Sequence, residues 1–277
     1  MKLKTKDLLT GDEISSKEFL KLIDFSIKLK KQNKTGKEKP LLKNKTLAMI
    51  FEKPSTRTRV SFEVGMSQLG GHAVNLSSNQ MQHSRGESAE DTAKTLSCYV
   101  DAIVARVYEH DFIEELAKHS TIPVINGLSN SYHPCQTLAD LMTIKEHKKK
   151  FKDLKIAWIG DGNNVCNSLI FGCSKTQIQI SIATPKGFEP NSDVVKKASK
   201  YTSVDLTTDP EFAVRDADVV MTDTFVSIHD SDAKSKKFLP TFQVNESLMN
   251  KAKDNAIFMH CLPAKRDQEV TSAVIDG

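Results

Sequence analysis

Seven consecutive residues, Lys53-Pro54-Ser55-Thr56-Arg57-Thr58-Arg59, concentrate hydroxyls and cations and contain no acid. They stand between an apolar run, Leu47–Phe51, and an amphipathic stretch that reads as a helix. A helix N-terminus presents unpaired N–H groups and partial positive charge. An N-cap serine, two threonines and a guanidinium within one turn therefore make a cradle for phosphate oxygens. An isolated Ser-x-Arg-Thr is more often a capped helix start with surface arginines. Here the density of donors and the scarcity of acceptors favour the anion. His260-Cys261 could be read as a base beside a nucleophile, but adjacent residues on a strand point to opposite faces and cannot easily pair. Gly160-Asp161-Gly162 after an apolar run raises dinucleotide binding. The fingerprint wants a third glycine where Val165 stands and an acid where Thr184-Pro185 follows the next strand, so that reading fails twice. The eight histidines form no HExxH or His-x3-His arrangement, so no metal is expected.

The composition narrows the classes further. Hydrophobic residues make up 39% and charged residues 27%, the balance of a soluble globular chain. The 39 Lys and Arg against 35 Asp and Glu leave +4, which suits a small anionic substrate and is too little for a nucleic-acid binder. No apolar run approaches the roughly 20 residues of a membrane span. Met1-Lys2-Leu3-Lys4 is not followed by a secretory segment, and five cysteines without a CxxC pair argue against a disulfide framework, so the cytoplasm is the expected compartment.

These groups need a scaffold. Ser15-Ser16-Lys17-Glu18 reads as a capping box opening a helix, and the lysine-rich stretch from Lys28 to Lys45 as a solvated connector. Strands and helices then alternate, through Ala102–Val107 and Pro123–Asn126, to a helix over about Pro134 to His147. After a second charged connector, Lys148 to Lys155, the alternation restarts with Ile156–Ile159, Ile178–Ala183, Asp218–Asp223 and Ala256–His260. Such a chain is an α/β protein of two domains, each a parallel sheet flanked by helices on both faces, with expected spans 1–140 and 141–277. In open parallel sheets ligands bind beyond the carboxyl ends of the strands, and the polar residues singled out above all follow predicted strands.

Phe51 to Arg59 (FEKPSTRTR), His133 to Gln136 (HPCQ) and His260 to Pro263 (HCLP), in that order, resemble the aspartate/ornithine carbamoyltransferases, most closely the ornithine branch. The likeness runs from about Leu8 to the chain end and includes Gly86-Glu87, Asp101 to Arg106 and Trp158 to Asn164. It implies a first domain that binds carbamoyl phosphate and a Rossmann-like second domain that binds the amino acid. It also implies a homotrimer with active sites at subunit boundaries and no cofactor. The activity implied is transfer of the carbamoyl group to the δ-amine of L-ornithine, giving L-citrulline and phosphate. Putrescine or another amine as acceptor, or a binding paralogue without turnover, are the alternatives.

Carried over residue by residue, the resemblance gives Ser55, Thr56, Arg57, Thr58 and Arg106 to the phosphate, and Gln82 to the site of a neighbouring subunit. The reaction forms a tetrahedral oxyanion, for which Arg106, His133 and Thr58 are the candidate donors. Gln136 would hold the carbamoyl NH2 through its amide oxygen, helped by backbone carbonyls near Cys261 and Leu262. Cys261 is expected to contact the attacking amine and His260 to be structural. Asp223 offers an anion to an ammonium group, while Asn164, Ser227 and Ile228 would take the remainder of ornithine. Three departures stand out. His83 and Ser84 follow Gln82 where Leu and Gly are usual, Ile228-His229 replaces Met-Gly, and the chain stops at Gly277, short of the family's C-terminal segment. From the last, weaker carbamoyl phosphate binding and looser domain closure are expected.

Overall fold

The structure, a computed structural model, describes residues 3–52, 55–77, 86–226 and 232–277. The chain divides into two compact units, Met1–Cys135 and Gln136–Gly277. The first contains helices α1 (Ser16–Lys34), α2 (Arg57–Gln68), α3 (Ala89–Tyr99) and α4 (His110–His119). Its strands are β1 (Thr46–Phe51), β2 (His72–Ser77), β3 (Ala102–Arg106) and β4 (Val124–Leu128), all parallel in the order β2-β1-β3-β4. The period of two along β1 explains its unbroken apolar run. Leu47, Met49 and Phe51 join one hydrophobic cluster with Met66 of α2, while Ala48 and Ile50 join the other with Ile113 and Leu116 of α4. A strand covered on both faces has no polar side to show in its sequence. The capping box at α1 is formed, with the Ser15 hydroxyl accepting from Glu18 N–H and the Glu18 carboxylate accepting from Ser15 N–H, each at 3.3 Å.

Helix α5 (Pro134–Lys148) leads into the second unit, where β5 (Lys155–Ile159), β6 (Gln179–Ala183), β7 (Val204–Thr207), β8 (Val219–Thr222) and β9 (Ile257–His260) form a parallel sheet in the order β7-β6-β5-β8-β9. Its remaining helices are α6 (Asn164–Thr176), α7 (Ser192–Ala198), α8 (Pro210–Val214), α9 (Glu246–Met249) and α10 (Ser272–Ile275). Helix α6 is buried almost all round. Among the described residues, no helix is long and apolar enough to cross a membrane.

Two local expectations change. Helix α2 begins at Arg57, one residue later than a Ser55 N-cap would place it. Its N-cap is Thr56, whose backbone is already helical (φ −85°, ψ −58°) and whose hydroxyl makes no capping bond. Strand β7 was not expected from the sequence: Val204-Asp205-Leu206-Thr207 is a short edge strand with its two central residues exposed, so it lacks the apolar run that marks the others.

Candidate active site

Each sheet reverses its strand order once, and polar side chains meet at both reversals. In the first unit the reversal lies between β1 and β3, where the chain goes outward to β2 and returns on the other side. Arg106, the last residue of β3, donates from Nη1 to the Thr58 hydroxyl in the first turn of α2, at 3.0 Å. A register shift between Ala105 and Arg106 in the β3–β4 pairing marks the point where Arg106 leaves the ladder, as bulges beside functional sites commonly do. The Arg106 carbonyl accepts from Glu52 N–H at 2.9 Å, and the Glu52 carboxylate accepts from Tyr108 N–H at 2.9 Å, so the strand ends are tied to one another. Thr56 and Arg57 are exposed and Ser55 is half-buried at the same helix start.

His133 precedes α5 and is buried. Burial first, and the Arg106 charge second, push its pKa down to about 3, so the imidazole is neutral at physiological pH. A neutral ring can still donate one N–H to a developing oxyanion without bringing a charge of its own. The loop that carries it is pinned. Tyr132 N–H donates to the Ser129 hydroxyl at 3.2 Å, Ser129 N–H to the Tyr132 carbonyl at 2.9 Å, and the buried Asn126 amide to the Leu9 carbonyl at 2.8 Å.

In the second unit the reversal lies between β5 and β8. Asp223, one residue past β8, is nearly buried and accepts three hydrogen bonds: from Asn163 Nδ2 at 2.8 Å, from the Cys261 thiol at 3.1 Å and from Thr224 N–H at 2.7 Å. Burial and the neighbouring Asp223 carboxylate hold the Cys261 thiol well above its ordinary pKa, so it is a protonated donor and not a thiolate. Asn163, the donor to Asp223, also caps α6 by accepting from Val165 and Cys166 N–H. The expected Asn164 is the first residue of that helix, and its side-chain oxygen accepts from Val165 N–H at 3.0 Å.

His260, the last residue of β9, and Cys261, just past it, take different partners. The imidazole Nδ1 accepts from Leu262 N–H at 2.9 Å and Nε2 faces Glu269 Oε1 at 3.1 Å. Both bonds together require the neutral tautomer with its proton on Nε2. Glu269 is fully buried and also accepts from Lys265 N–H at 2.6 Å. Leu262 carries a left-handed φ of 61° and is 46% exposed, so its backbone is held by His260 while its side chain is free. On α5, Gln136 Nε2 donates to Asp140 Oδ1 at 2.9 Å. Burial raises the Asp140 pKa to about 7; Asp223 adds to the rise, and the Gln136 bond and His260 oppose it.

Asn163, Glu269 and Asp140 are the residues that reading the sequence missed. Asp140 had a signal, its spacing of four from Gln136 on one helix. Glu269 had none, since it reaches His260 through an irregular loop. Gln82, Ser227 and Ile228 lie outside the described residues.

Asp223, His260 and Cys261 bring one ligand atom each within 4.8 Å of one another, a set that could hold a metal ion. Binding would displace the Cys261–Asp223 bond and one of the two His260 bonds, so the cluster is satisfied by the protein itself. Gly162 has a packing reason for being glycine. A Cβ there would lie 2.2 Å from Pro190 N and 2.6 Å from the Phe188 carbonyl oxygen, which the Gly162 N–H reaches at 2.8 Å. The Gly-x-Gly pair thus serves a close backbone crossing and not a pyrophosphate.

Comparison with known proteins agrees with this arrangement. Residues 6–146 match the family model described as aspartate/ornithine carbamoyltransferase, carbamoyl-P binding domain, and residues 152–277 match the Asp/Orn binding domain of the same family. An ornithine carbamoyltransferase of Cenarchaeum symbiosum is 59% identical over the whole chain and 92% of its own length. One from Bacillus thuringiensis is 50% identical, with 100% of this chain and 88% of that protein covered. The solved ornithine carbamoyltransferase of Pyrococcus furiosus superposes with a TM-score of 0.95 at 48% identity, covering 100% of this chain and 91% of that one. With both halves matched in order and each half carrying its polar cluster at a sheet reversal, the chain belongs to the aspartate/ornithine carbamoyltransferase family.

Proposed function

We propose that this chain transfers the carbamoyl group of carbamoyl phosphate to the δ-amine of L-ornithine, releasing L-citrulline and phosphate. The observation that carries the choice of acceptor is the Cys261–Asp223 hydrogen bond at 3.1 Å, because the phosphate half alone would serve any carbamoyltransferase. A diamino acid brings an ammonium that needs an anion, and Asp223 is that anion, held in place by three donors. Aspartate would instead require added cations for its second carboxylate.

In this reading Ser55, Thr56, Arg57 and Thr58 at the start of α2, with Arg106, hold the phosphate. Arg106 and the neutral His133 donate to the carbonyl oxygen as charge develops on it, and Gln136 accepts from the carbamoyl NH2, with backbone carbonyls at Cys261 and Leu262 assisting. The neutral amine attacks the carbonyl carbon, the C–O bond to phosphate breaks, and the proton that the nitrogen gives up leaves with the departing phosphate. No covalent enzyme intermediate is needed, because the substrate is already activated and Cys261 is a thiol. Asn164, Ser227 and Ile228 are assigned to the α-carboxylate, the α-amine and the aliphatic chain of ornithine.

We further infer a cytoplasmic homotrimer in which Gln82 enters the site of a neighbouring subunit. A shallow groove of about 600 Å³ along α2, lined in part by the exposed Val60 and Val64, supports contact between copies on that face. Formation of the carbamoylated product is the test, with ornithine (read as citrulline), putrescine and N-acetylornithine offered in parallel and Arg57→Ala as the control. Ornithine is expected to be the preferred acceptor by at least tenfold. Equal or better turnover of putrescine would replace the proposal, and no citrulline from folded protein would reject it.

A further inference from the structure

Asp140 is a carboxyl group in the interior of a helix, 5% exposed, at a position where an apolar side chain would avoid the cost of desolvating an acid. Gln136 lies one turn earlier, and the spacing of four stacks the two side chains on one helix face. Gln136 Nε2 donates to Asp140 Oδ1 at 2.9 Å, and Oδ2 has no hydrogen-bond partner among the described residues. Asp223 and His260 act on the same carboxyl electrostatically. A side-chain amide has two ends of nearly equal size, so packing alone cannot choose between them. A hydrogen-bonding partner can: a carboxylate only accepts, and therefore draws the NH2 end to itself.

We propose that Asp140 is a positioning residue that sets the orientation of the Gln136 amide, so that Oε1 and not Nε2 is presented to the NH2 of the carbamoyl group. The inference rests on the function proposed above, which gives Gln136 its ligand. Turned over, the amide would set a donor against a donor, and small misplacements at a reacting group are costly in rate.

Asp140→Asn is the discriminating variant because it keeps shape and volume. Two amides can pair in either sense, so the variant retains the contact and loses its direction. Assays belong at pH 8.5, where the carboxyl of the parent is ionised and can only accept. The expected result is a fall of threefold or more in kcat/KM for carbamoyl phosphate. The ornithine KM should stay within twofold of the parent, without a lower melting temperature. In a Gln136→Ala background the same Asp140→Asn change should have no further effect, since its route to the substrate is gone. A loss of less than threefold, or a full effect that persists without Gln136, overturns the proposal. Citrulline formation by the parent separates the two readings: an inactive parent rejects the function, and an active parent with additive substitutions rejects the role of Asp140 alone.

Discussion

The Cys261 thiol donates to Asp223 Oδ1 at 3.1 Å, and so the cysteine that we propose contacts the attacking amine is held as a neutral donor. Burial and the carboxylate both raise its pKa, which removes the thiolate that alkylation or covalent catalysis would need. Iodoacetamide at pH 8 should therefore label the exposed Cys98 well before Cys261, read by peptide mass spectrometry. Cys261→Ser keeps a donor to Asp223 and is expected to retain activity within roughly tenfold, a hydrogen bond to a charged group being worth about 1.5–3 kcal/mol. Preferential labelling of Cys261 would contradict the hydrogen-bonded thiol.

His260 and Glu269 make a second buried pair with a different purpose. The imidazole spends both nitrogens, one on Glu269 and one on Leu262 N–H, and so fixes the backbone next to the proposed carbamoyl contact. Removing the carboxylate with Glu269→Ala leaves a buried N–H and the Lys265 N–H without acceptors. We expect it to cost about 2–4 kcal/mol of stability. Glu269→Gln, which keeps an accepting oxygen, should recover more than half of the lost melting temperature. Equal destabilisation by both would mean that volume, and not hydrogen bonding, is what the site requires.

Two buried titratable groups give opposite dependences on pH. His133 binds its proton at about 3 in the fold and at about 6.5 when unfolded, so the unfolded chain gains protons first on acidification and stability falls as pH drops below 6.5. Asp140 binds its proton at about 7 in the fold and at about 3.9 when unfolded. Its contribution is largest at low pH and is lost as pH rises through 7. Asp140→Asn should thus gain on the parent between pH 4 and 7, by about 1.4 kcal/mol per pH unit at most, and by a constant amount above that. Melting curves of both proteins across pH 4–9 measure it, and a difference that does not change with pH would show that Asp140 ionises as freely folded as unfolded.

Gly162→Ala places a methyl group against the backbone at residues 188–190, with nothing flexible to move aside. A loss of several kcal/mol, seen as a melting temperature lowered by 10 °C or more or as failure to accumulate, is expected. A variant that melts with the parent would show that the 188–190 segment yields at little cost.

Much of this protein was legible in its residues. The unbroken runs Leu47–Phe51 and Ile156–Ile159 read as strands covered on both faces, and from parallel strands the rule of carboxyl-end loops followed. Thr58, Arg106, His133, Asp223 and Cys261 were singled out that way, because strand, turn and helix are local and their polar exceptions stand out against apolar neighbours. Edge strand β7 escaped because partial exposure erases the apolar signal. What tertiary structure alone decided is partnership. That Asn163 reaches Asp223, that Glu269 meets His260 from an irregular loop, and that Gln136 leans on Asp140 depend on angles summed over many residues. A hydrogen bond is lost within an ångström of error, whereas hydrophobic periodicity survives several.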